Sequence, residues 1–148
     1  MDLLEILRDV DLLEGLSEGD LRRVARLCRE RRFRAGETIT RQGEPGNELY
    51  IICDGLVEIL VKPASAAAPP RAVVNLGRGQ LFGEMALVDL GPRSATVRAI
   101  AENTLVQAIG REEFQALCDA EPRLGYAVMR NMAADLSFKL RHSHLSGR

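Results

Sequence analysis

The segment FGEMALVDLGPRSATVRA, residues 82–99, joins a glycine turn, a short apolar run, a Gly-Pro break and an arginine directly after that break. Gly83 can adopt backbone angles that are closed to other residues, so its N–H can face a ligand at close range. The residues after Gly83 predict the start of a short helix, where unpaired backbone N–H groups can bind an anion. Gly91 and Pro92 are predicted to end that helix and to fix the direction of the chain.

Two charged side chains in this segment suit a small sugar phosphate. Arg93 carries the planar guanidinium that binds phosphate oxygens well, and Glu84 supplies a carboxylate that can accept a hydrogen bond from a sugar hydroxyl. Together with the helix start, they predict a pocket for such a ligand. The alternative interpretation is a pair of ordinary turn glycines and a solvated arginine, which the combination of residues over the whole segment disfavours.

Residues 82–97 closely resemble the phosphate-binding cassette of the cyclic-nucleotide-binding domain family, as in bacterial cAMP receptor proteins and protein kinase A regulatory subunits. The family pattern is Phe-Gly-Glu, a small residue two positions further on, then Pro-Arg, a small residue, Ala, Thr or Ser, and Val. The chain fills these places with Phe82, Gly83, Glu84, Ala86, Pro92, Arg93, Ser94, Ala95, Thr96 and Val97. The glycine-rich residues 41–46 also resemble a turn of this family, so the resemblance covers nearly the whole chain.

The resemblance implies a role for each part of the cassette. Arg93 is expected to pair with the charged exocyclic phosphate oxygen, and Glu84 to bind the ribose 2′-hydroxyl. The phosphate is expected to be surrounded by the N–H groups of Gly83, Ala86 and Ala95 and by the Ser94 hydroxyl. The full set of expected ligand-binding residues is Phe82, Gly83, Glu84, Met85, Ala86, Arg93, Ser94, Ala95 and Thr96.

The expected ligand is a cyclic nucleoside monophosphate, with cAMP favoured over cGMP. Ser94 occupies the place where family members that prefer cGMP often carry Thr and many that prefer cAMP carry Ala, although bacterial cAMP sensors of the family also carry Ser. The chain contains no nucleophile elbow, no histidine pair with metal-binding spacing and no carboxylate pair suited to catalysis. The sequence therefore predicts a sensor and not an enzyme, with no metal site.

Composition agrees with a small regulatory domain. The 148 residues have room for one domain, residues 1–148, and 20 basic side chains balance 21 acidic ones, so the overall charge does not point to nucleic acid. Cys28, Cys53 and Cys118 are odd in number and far apart, which favours reduced thiols in a cytoplasmic protein. The resemblance to bacterial cAMP receptor proteins implies a bacterial protein. No apolar run approaches the ~20 residues of a membrane span.

Periodicity predicts an α+β fold that is mainly β: a β-roll, or jelly roll (a double-stranded β-helix), flanked by N-terminal and C-terminal helices. The predicted boundaries are helices over residues 1–32, the β-roll over 33–110 and helices over 111–142. Asp54-Gly55 is predicted to form a hairpin turn, and residues 63–70 an exposed loop. Seven arginines between residues 22 and 34 are predicted to form a solvated face with ion pairs, and not a nucleic-acid surface.

The last predicted helix, residues 122–142, carries an apolar seam. Its members are Met129, Met132, Leu136 and Leu140. One interpretation is a stripe that packs on the β-roll; the other, which the resemblance implies, is a lid over the base that signals to an effector protein or pairs in a homodimer. Two further possibilities stay open: a degenerate domain that keeps the fold only for protein interaction, and a fragment of a DNA-binding transcription regulator without its helix-turn-helix.

Overall fold

The computed structural model describes residues 2–63, 68–89 and 91–145, and within these the chain forms four α-helices and eight β-strands. The helices are α1 (Leu3–Arg8), α2 (Glu18–Ala25), α3 (Arg111–Ala120) and α4 (Pro122–Leu145). The strands are β1 (Arg29–Phe33), β2 (Thr38–Thr40), β3 (Glu48–Asp54), β4 (Leu56–Val61), β5 (Arg71–Gly77), β6 (Leu81–Phe82), β7 (Thr96–Ala99) and β8 (Thr104–Gly110). Two 3₁₀ turns, Asp11–Leu13 and Glu84–Leu87, complete the described elements.

Two four-stranded antiparallel sheets form the body of the molecule. The first has the order β1-β8-β3-β6 and the second the order β2-β7-β4-β5. A cluster of buried side chains from both sheets lies between them: Tyr50, Ile52, Phe82, Val106 and Ala108 from the first, and Val57 and Val97 from the second. The predicted jelly roll with flanking helices is confirmed.

A second core lies on the outer face of the first sheet. Successive residues of β3 point to opposite faces, so Tyr50 and Ile52 enter the roll while Leu49 and Ile51 face the helices. The helical side of this core includes Ile6, Leu7, Leu21, Val24, Phe114, Leu124, Val128 and Met132. Burial on both faces explains why β3 is an almost continuous apolar run rather than an alternating one.

The Asp54-Gly55 turn is not a hairpin, contrary to the sequence prediction. Strand β3 pairs with β6 and β8, whereas β4 pairs with β5 and β7, so the turn carries the chain from one sheet to the other. Gly55 has φ 92°, and a Cβ there would lie 2.5 Å from Thr104 Oγ1. The Asp-Gly pair correctly predicts a change of chain direction at this point. Which strands then pair with one another is decided by the packing of the two sheets.

The first strand begins at Arg29, four residues before the predicted start of the β-roll. Helix α2 ends at Ala25, and β1 pairs with β8 from Arg29 opposite Ala108 to Phe33 opposite Thr104. Long-range pairing with β8 thus overrides the helical periodicity of this segment. The predicted ion pairs of the arginine run are confirmed: Arg22 with Glu18, Arg23 with Asp20, Arg29 and Arg31 with Glu48, and Arg32 with Glu30.

Helices flank the strands at both ends of the described chain: α1 and α2 precede β1, and α3 and α4 follow β8. Ser17 caps α2, since its Oγ accepts a hydrogen bond from the Asp20 N–H at 3.1 Å. Within residues 2–63, 68–89 and 91–145, no helix is both long enough and apolar enough to span a membrane. The middle of the loop predicted over residues 63–70, residues 64–67, lies outside the described residues.

Candidate functional site

A cavity of about 650 Å³ opens between the second sheet, the cassette and α4. Its volume falls in the range of small-molecule sites, roughly 300–1,000 Å³. Six of the nine predicted site residues line it: Phe82, Gly83, Glu84, Arg93, Ser94 and Ala95. Its other walls include Ile59, Val74, Leu76 and Val97 from the sheets and Asn131, Met132, Asp135 and Lys139 from α4.

The glycine turn has the predicted geometry. Gly83 adopts φ 82° and ψ 12°, in the left-handed region that favours glycine, and the 3₁₀ turn Glu84–Leu87 starts directly after it. The Ala86 N–H donates to the Gly83 carbonyl at 3.1 Å, so the first N–H groups of the turn, on Glu84 and Met85, are the ones left without an intrahelical partner. A contact between the Ala86 N–H and a phosphate stays a prediction, and it requires that hydrogen bond to be shared.

The guanidinium of Arg93 lies in a close-fitting site that we call the arginine cradle, formed by Gly46, Glu48, Tyr50 and Gly83. Arg93 Nη2 donates to the Glu48 carbonyl at 2.8 Å, and its Cζ lies 5.8 Å from the centroid of the Tyr50 ring. A Cβ on Gly46 would overlap Arg93 Nε, and one on Gly83 would lie 2.7 Å from Nη1. Both glycines are therefore required for the guanidinium to lie where it does.

The backbone of Arg93 is held by the glycine-rich turn of residues 41–46. The Arg93 N–H donates to the Glu44 carbonyl, and the Gly43 N–H donates to the Arg93 carbonyl, each at 2.8 Å. The Gln42 N–H donates to Thr96 Oγ1 at 2.9 Å, so this hydroxyl braces the turn. Two segments that are about fifty residues apart in sequence therefore form one unit around the arginine.

Tyr50 and Glu48 stabilise the floor of the cradle. The Tyr50 hydroxyl donates to Glu48 Oε1 at 2.9 Å, and its ring stacks on Phe82 with centroids 5.0 Å apart. Burial and the hydrogen bond to the Glu48 carboxylate raise the pKa of the Tyr50 hydroxyl to about 12, so it remains a donor. The sequence analysis missed Gly46, Glu48 and Tyr50 as site residues. In the sequence, these three residues were marked only by their position within or just after residues 41–46, the turn that resembles one of the family.

The three other predicted residues do not line the cavity. Thr96 supports the turn of residues 41–46 as described, and Ala86, which belongs to the 3₁₀ turn, is buried. Met85 belongs to the same turn and is 43% exposed. The structure thus brings six of the nine predicted residues together at the cavity, and Met85, Ala86 and Thr96 are not part of its lining.

Helix α4 forms the opposite wall. Asn131 Nδ2 donates to the carbonyls of Leu12 at 3.0 Å and Glu14 at 2.8 Å, which ties the helix to the N-terminal segment. One turn and two turns further on, Asp135 and Lys139 form an ion pair of 2.9 Å, and this hydrogen bond raises the pKa of the Lys139 ammonium above its ordinary value. The charge of Glu84 acts in the same direction, and Glu84, Asp135 and Lys139 all line the cavity.

The predicted apolar seam of α4 divides into two parts. Met132 is buried and Met129 packs against the core, whereas Leu136 is 37% and Leu140 64% exposed. Phe138, which the sequence analysis did not single out, is also exposed and stacks on His142. The first part of the seam is therefore ordinary core, and only its second part is an available surface in this structure.

Comparison with known proteins identifies the family. A family model for the cyclic nucleotide-binding domain matches residues 30–121. A cyclic nucleotide-gated potassium channel of Rhizobium etli is 33% identical over 126 residues, 85% of this chain and 33% of the channel. The structure of Thermus thermophilus catabolite activator protein aligns with a TM-score of 0.80 and 33% identity, over 92% of this chain and 61% of that one.

A third similar protein is the regulatory domain of Toxoplasma gondii PKA, crystallised with cAMP. It aligns with a TM-score of 0.70 and 32% identity, over 77% of this chain and 42% of that one. The chain thus spans a third of the channel and less than two thirds of the other two relatives. Because the family model covers more than half of the chain, including the cassette and the turn that holds Arg93, the chain belongs to the cyclic-nucleotide-binding domain family.

Proposed function

We propose that residues 1–148 act as one regulatory domain that binds cAMP in the cavity and passes its ligand state through α4 to a partner or a second subunit. The observation that carries the proposal is the arginine cradle, which fixes one guanidinium at the wall of a nucleotide-sized cavity with Glu84 beside it. A half-buried arginine that is held by one carbonyl and one aromatic ring retains donors for an anion. A cyclic phosphate satisfies them.

The cavity suits the other parts of a cyclic nucleotide as well. We expect the N–H groups at the start of the 3₁₀ turn and the Ser94 hydroxyl to bind the phosphate next to Arg93; Gly83, Glu84 and Ser94 line the cavity together with Arg93, which supports this expectation. Glu84 lines the same wall, where it accepts a hydrogen bond from the ribose 2′-hydroxyl. Apolar side chains, Ile59, Val74, Leu76 and Met132, cover much of the remaining surface and are suited to bury a base.

The preference for cAMP over cGMP rests on similarity and on Ser94. The similar regulatory domain was crystallised with cAMP, and the serine at position 94 also occurs in bacterial cAMP sensors of the family. A single hydrogen bond between a hydroxyl and the guanine amino group changes the preference by about 1–3 kcal/mol. Base choice is therefore the part of the proposal that one residue alters most easily.

Calorimetric titration of cAMP and of cGMP into the purified protein tests the proposal. We expect cAMP to bind, to raise Tm because a ligand selective for the folded state stabilises it, and to keep its site against an equal concentration of cGMP. No heat and no change of Tm at millimolar cAMP would overturn the proposal in favour of a degenerate fold. Complete displacement of cAMP by equal cGMP would overturn the base preference alone.

The same samples test the expectation that the domain binds its ligand without transforming it. After prolonged incubation we expect cAMP to be recovered unchanged. Accumulation of 5′-AMP in proportion to protein concentration would instead identify a phosphodiesterase activity.

A further inference from the structure

The carboxylate of Glu48 joins the arginine cradle to the edge of the first sheet. Its Oε1 accepts the Tyr50 hydroxyl at 2.9 Å, and its Oε2 accepts Arg29 Nη2 at 2.6 Å and Arg31 Nη2 at 3.1 Å. The Glu48 side chain is only 14% exposed, while those of Arg29 and Arg31 are about half exposed. Three donors therefore fix one shielded carboxylate, and two of them come from a different strand.

The backbone of the same residue contacts the phosphate-binding arginine directly. The Glu48 carbonyl accepts from Arg93 Nη2 at 2.8 Å, and the Tyr50 ring that lies under Arg93 is held by its hydroxyl to the Glu48 carboxylate. The Glu48 backbone thus contacts the Arg93 guanidinium itself, whereas the Glu48 side chain fixes the ring under that guanidinium. It begins strand β3, which pairs with β8 from Glu48 onwards and with β6 at Tyr50 and Ile51.

We propose that Glu48 is a positioning residue for Arg93, which it orients towards the phosphate without touching the ligand; this rests on the proposed function. Its carboxylate pairs with the two arginines of β1 and holds the Tyr50 hydroxyl, while its backbone carbonyl holds Arg93. Without that charge, Arg29 and Arg31 lose their ion-pair partner, and the hydrogen bond that holds the Tyr50 hydroxyl loses its charged acceptor. The Tyr50 ring under Arg93 is then held less firmly, and the guanidinium no longer selects one phosphate oxygen.

The two diastereomers of adenosine 3′,5′-cyclic phosphorothioate provide the measurement, because each replaces a different exocyclic oxygen by sulfur. The ratio of their Kd values reports how firmly Arg93 is aimed at one oxygen. Removing a negative charge also raises the general attraction for anions, and reduced stability weakens binding generally. Both of these effects act on the two diastereomers alike and cancel in the ratio.

We expect Glu48→Gln to move the ratio about threefold or more towards unity, the scale of coupling between residues in contact. Arg93→Ala is expected to bring the ratio close to unity. Glu30→Gln is the matched control, because Glu30 lies between Arg29 and Arg31 on β1 but pairs with Arg32, and we expect it to leave the ratio unchanged. Tyr50→Phe keeps the ring and removes only the hydroxyl, so it serves as a second variant with a smaller shift of the same sign.

The outcomes separate the inference from the function on which it rests. If the wild type binds cAMP and distinguishes the two diastereomers, and both Glu48→Gln and Tyr50→Phe keep the wild-type ratio of Kd values, only the positioning role of Glu48 is overturned. A wild type that binds both diastereomers equally overturns the assignment of Arg93 to one oxygen, and the role of Glu48 with it. A wild type that binds no cyclic nucleotide overturns the proposed function itself.

Discussion

The two walls of the cavity are held in very different ways. On the cassette wall, backbone hydrogen bonds to Glu44 and from Gly43 fix the main chain of Arg93, and the cradle fixes its side chain. On the α4 wall, Asn131 donates hydrogen bonds to two carbonyls of the N-terminal segment, and Met132 packs in the core between the first sheet and the helices. Beyond them, the cavity-lining residues Asp135 and Lys139 pair with each other on the same helix.

This difference assigns separate tasks to the walls. A wall fixed by many contacts is preorganised, so it binds an anion at little entropic cost. A wall whose outer part has few tertiary contacts is drawn from the low-stability end of the molecule and can change position when a ligand arrives. We therefore expect variants of the cassette wall to change affinity, and variants of outer α4 to change assembly or signalling.

The largest effect is expected within α4 itself. Met132→Ala removes a side chain that is only 4% exposed, and we expect it to lower the free energy of unfolding by about 2–5 kcal/mol. Leu140→Ala, two turns further on, should change it by no more than about 0.5 kcal/mol, since Leu140 is mostly exposed. Urea unfolding followed by circular dichroism measures both. Equal losses would mean that the helix is one continuous packed stripe.

Arg93→Ala should cost about 1.5–3 kcal/mol of binding free energy, or roughly ten- to a hundredfold in the Kd for cAMP, the scale for a hydrogen bond to a charged group. The control is Arg41→Ala, because Arg41 lies in the neighbouring turn but its side chain is exposed and pairs with Glu44 at 3.9 Å. Calorimetric titration of cAMP into the two variants measures both Kd values. An Arg93→Ala protein with wild-type affinity would remove the arginine from the site.

Gly46→Ala is expected to weaken binding about tenfold, because its Cβ overlaps Arg93 Nε and must displace the guanidinium. Gly46 does not have a positive φ, so backbone strain does not contribute. Gly19→Ala in α2 is the matched control, since its Cβ meets only ordinary contacts at 3.5 Å or more. If Gly46→Ala binds cAMP as the wild type does, the cradle adapts and is not preorganised.

Glu84→Ala should weaken cAMP binding by about 1 kcal/mol, or roughly fivefold, through the loss of one hydrogen bond at a half-buried site. The same substitution should leave the affinity for 2′-deoxy-cAMP unchanged, because that analogue already lacks the hydroxyl. Both ligands are titrated into both proteins. An equal loss with the two ligands would show that Glu84 does not bind the ribose hydroxyl.

The smallest effect on affinity is expected for Leu136→Lys on outer α4, which should bind cAMP within twofold of the wild type because Leu136 does not line the cavity. If Leu136 and Leu140 form the centre of a homodimer, sedimentation should show a dimeric wild type and a monomeric variant. A monomeric wild type with and without cAMP, together with normal binding by the variant, would remove the seam from both assembly and signalling.

Short-range chemistry determined much of the site from the sequence alone. The left-handed Gly83, the 3₁₀ turn after it and the Ser17 cap of α2 depend on residues within a few positions of one another, so local patterns predict them. The alternating and apolar runs likewise predicted most strands of the roll. The homodimer, the effector and the preference for cAMP remain predictions, because no residue pattern within the chain specifies what lies outside it.

Tertiary structure alone decided which distant residues meet. The Asp54-Gly55 turn joins two sheets rather than two paired strands, and the arginine-rich segment after Ala25 becomes β1 because β8 offers it a partner. The cradle combines Arg93 with a carbonyl and a ring from β3, more than forty residues earlier in the chain. Local propensities do not encode such contacts, because they exist only once the two sheets have packed and the loops between them have closed.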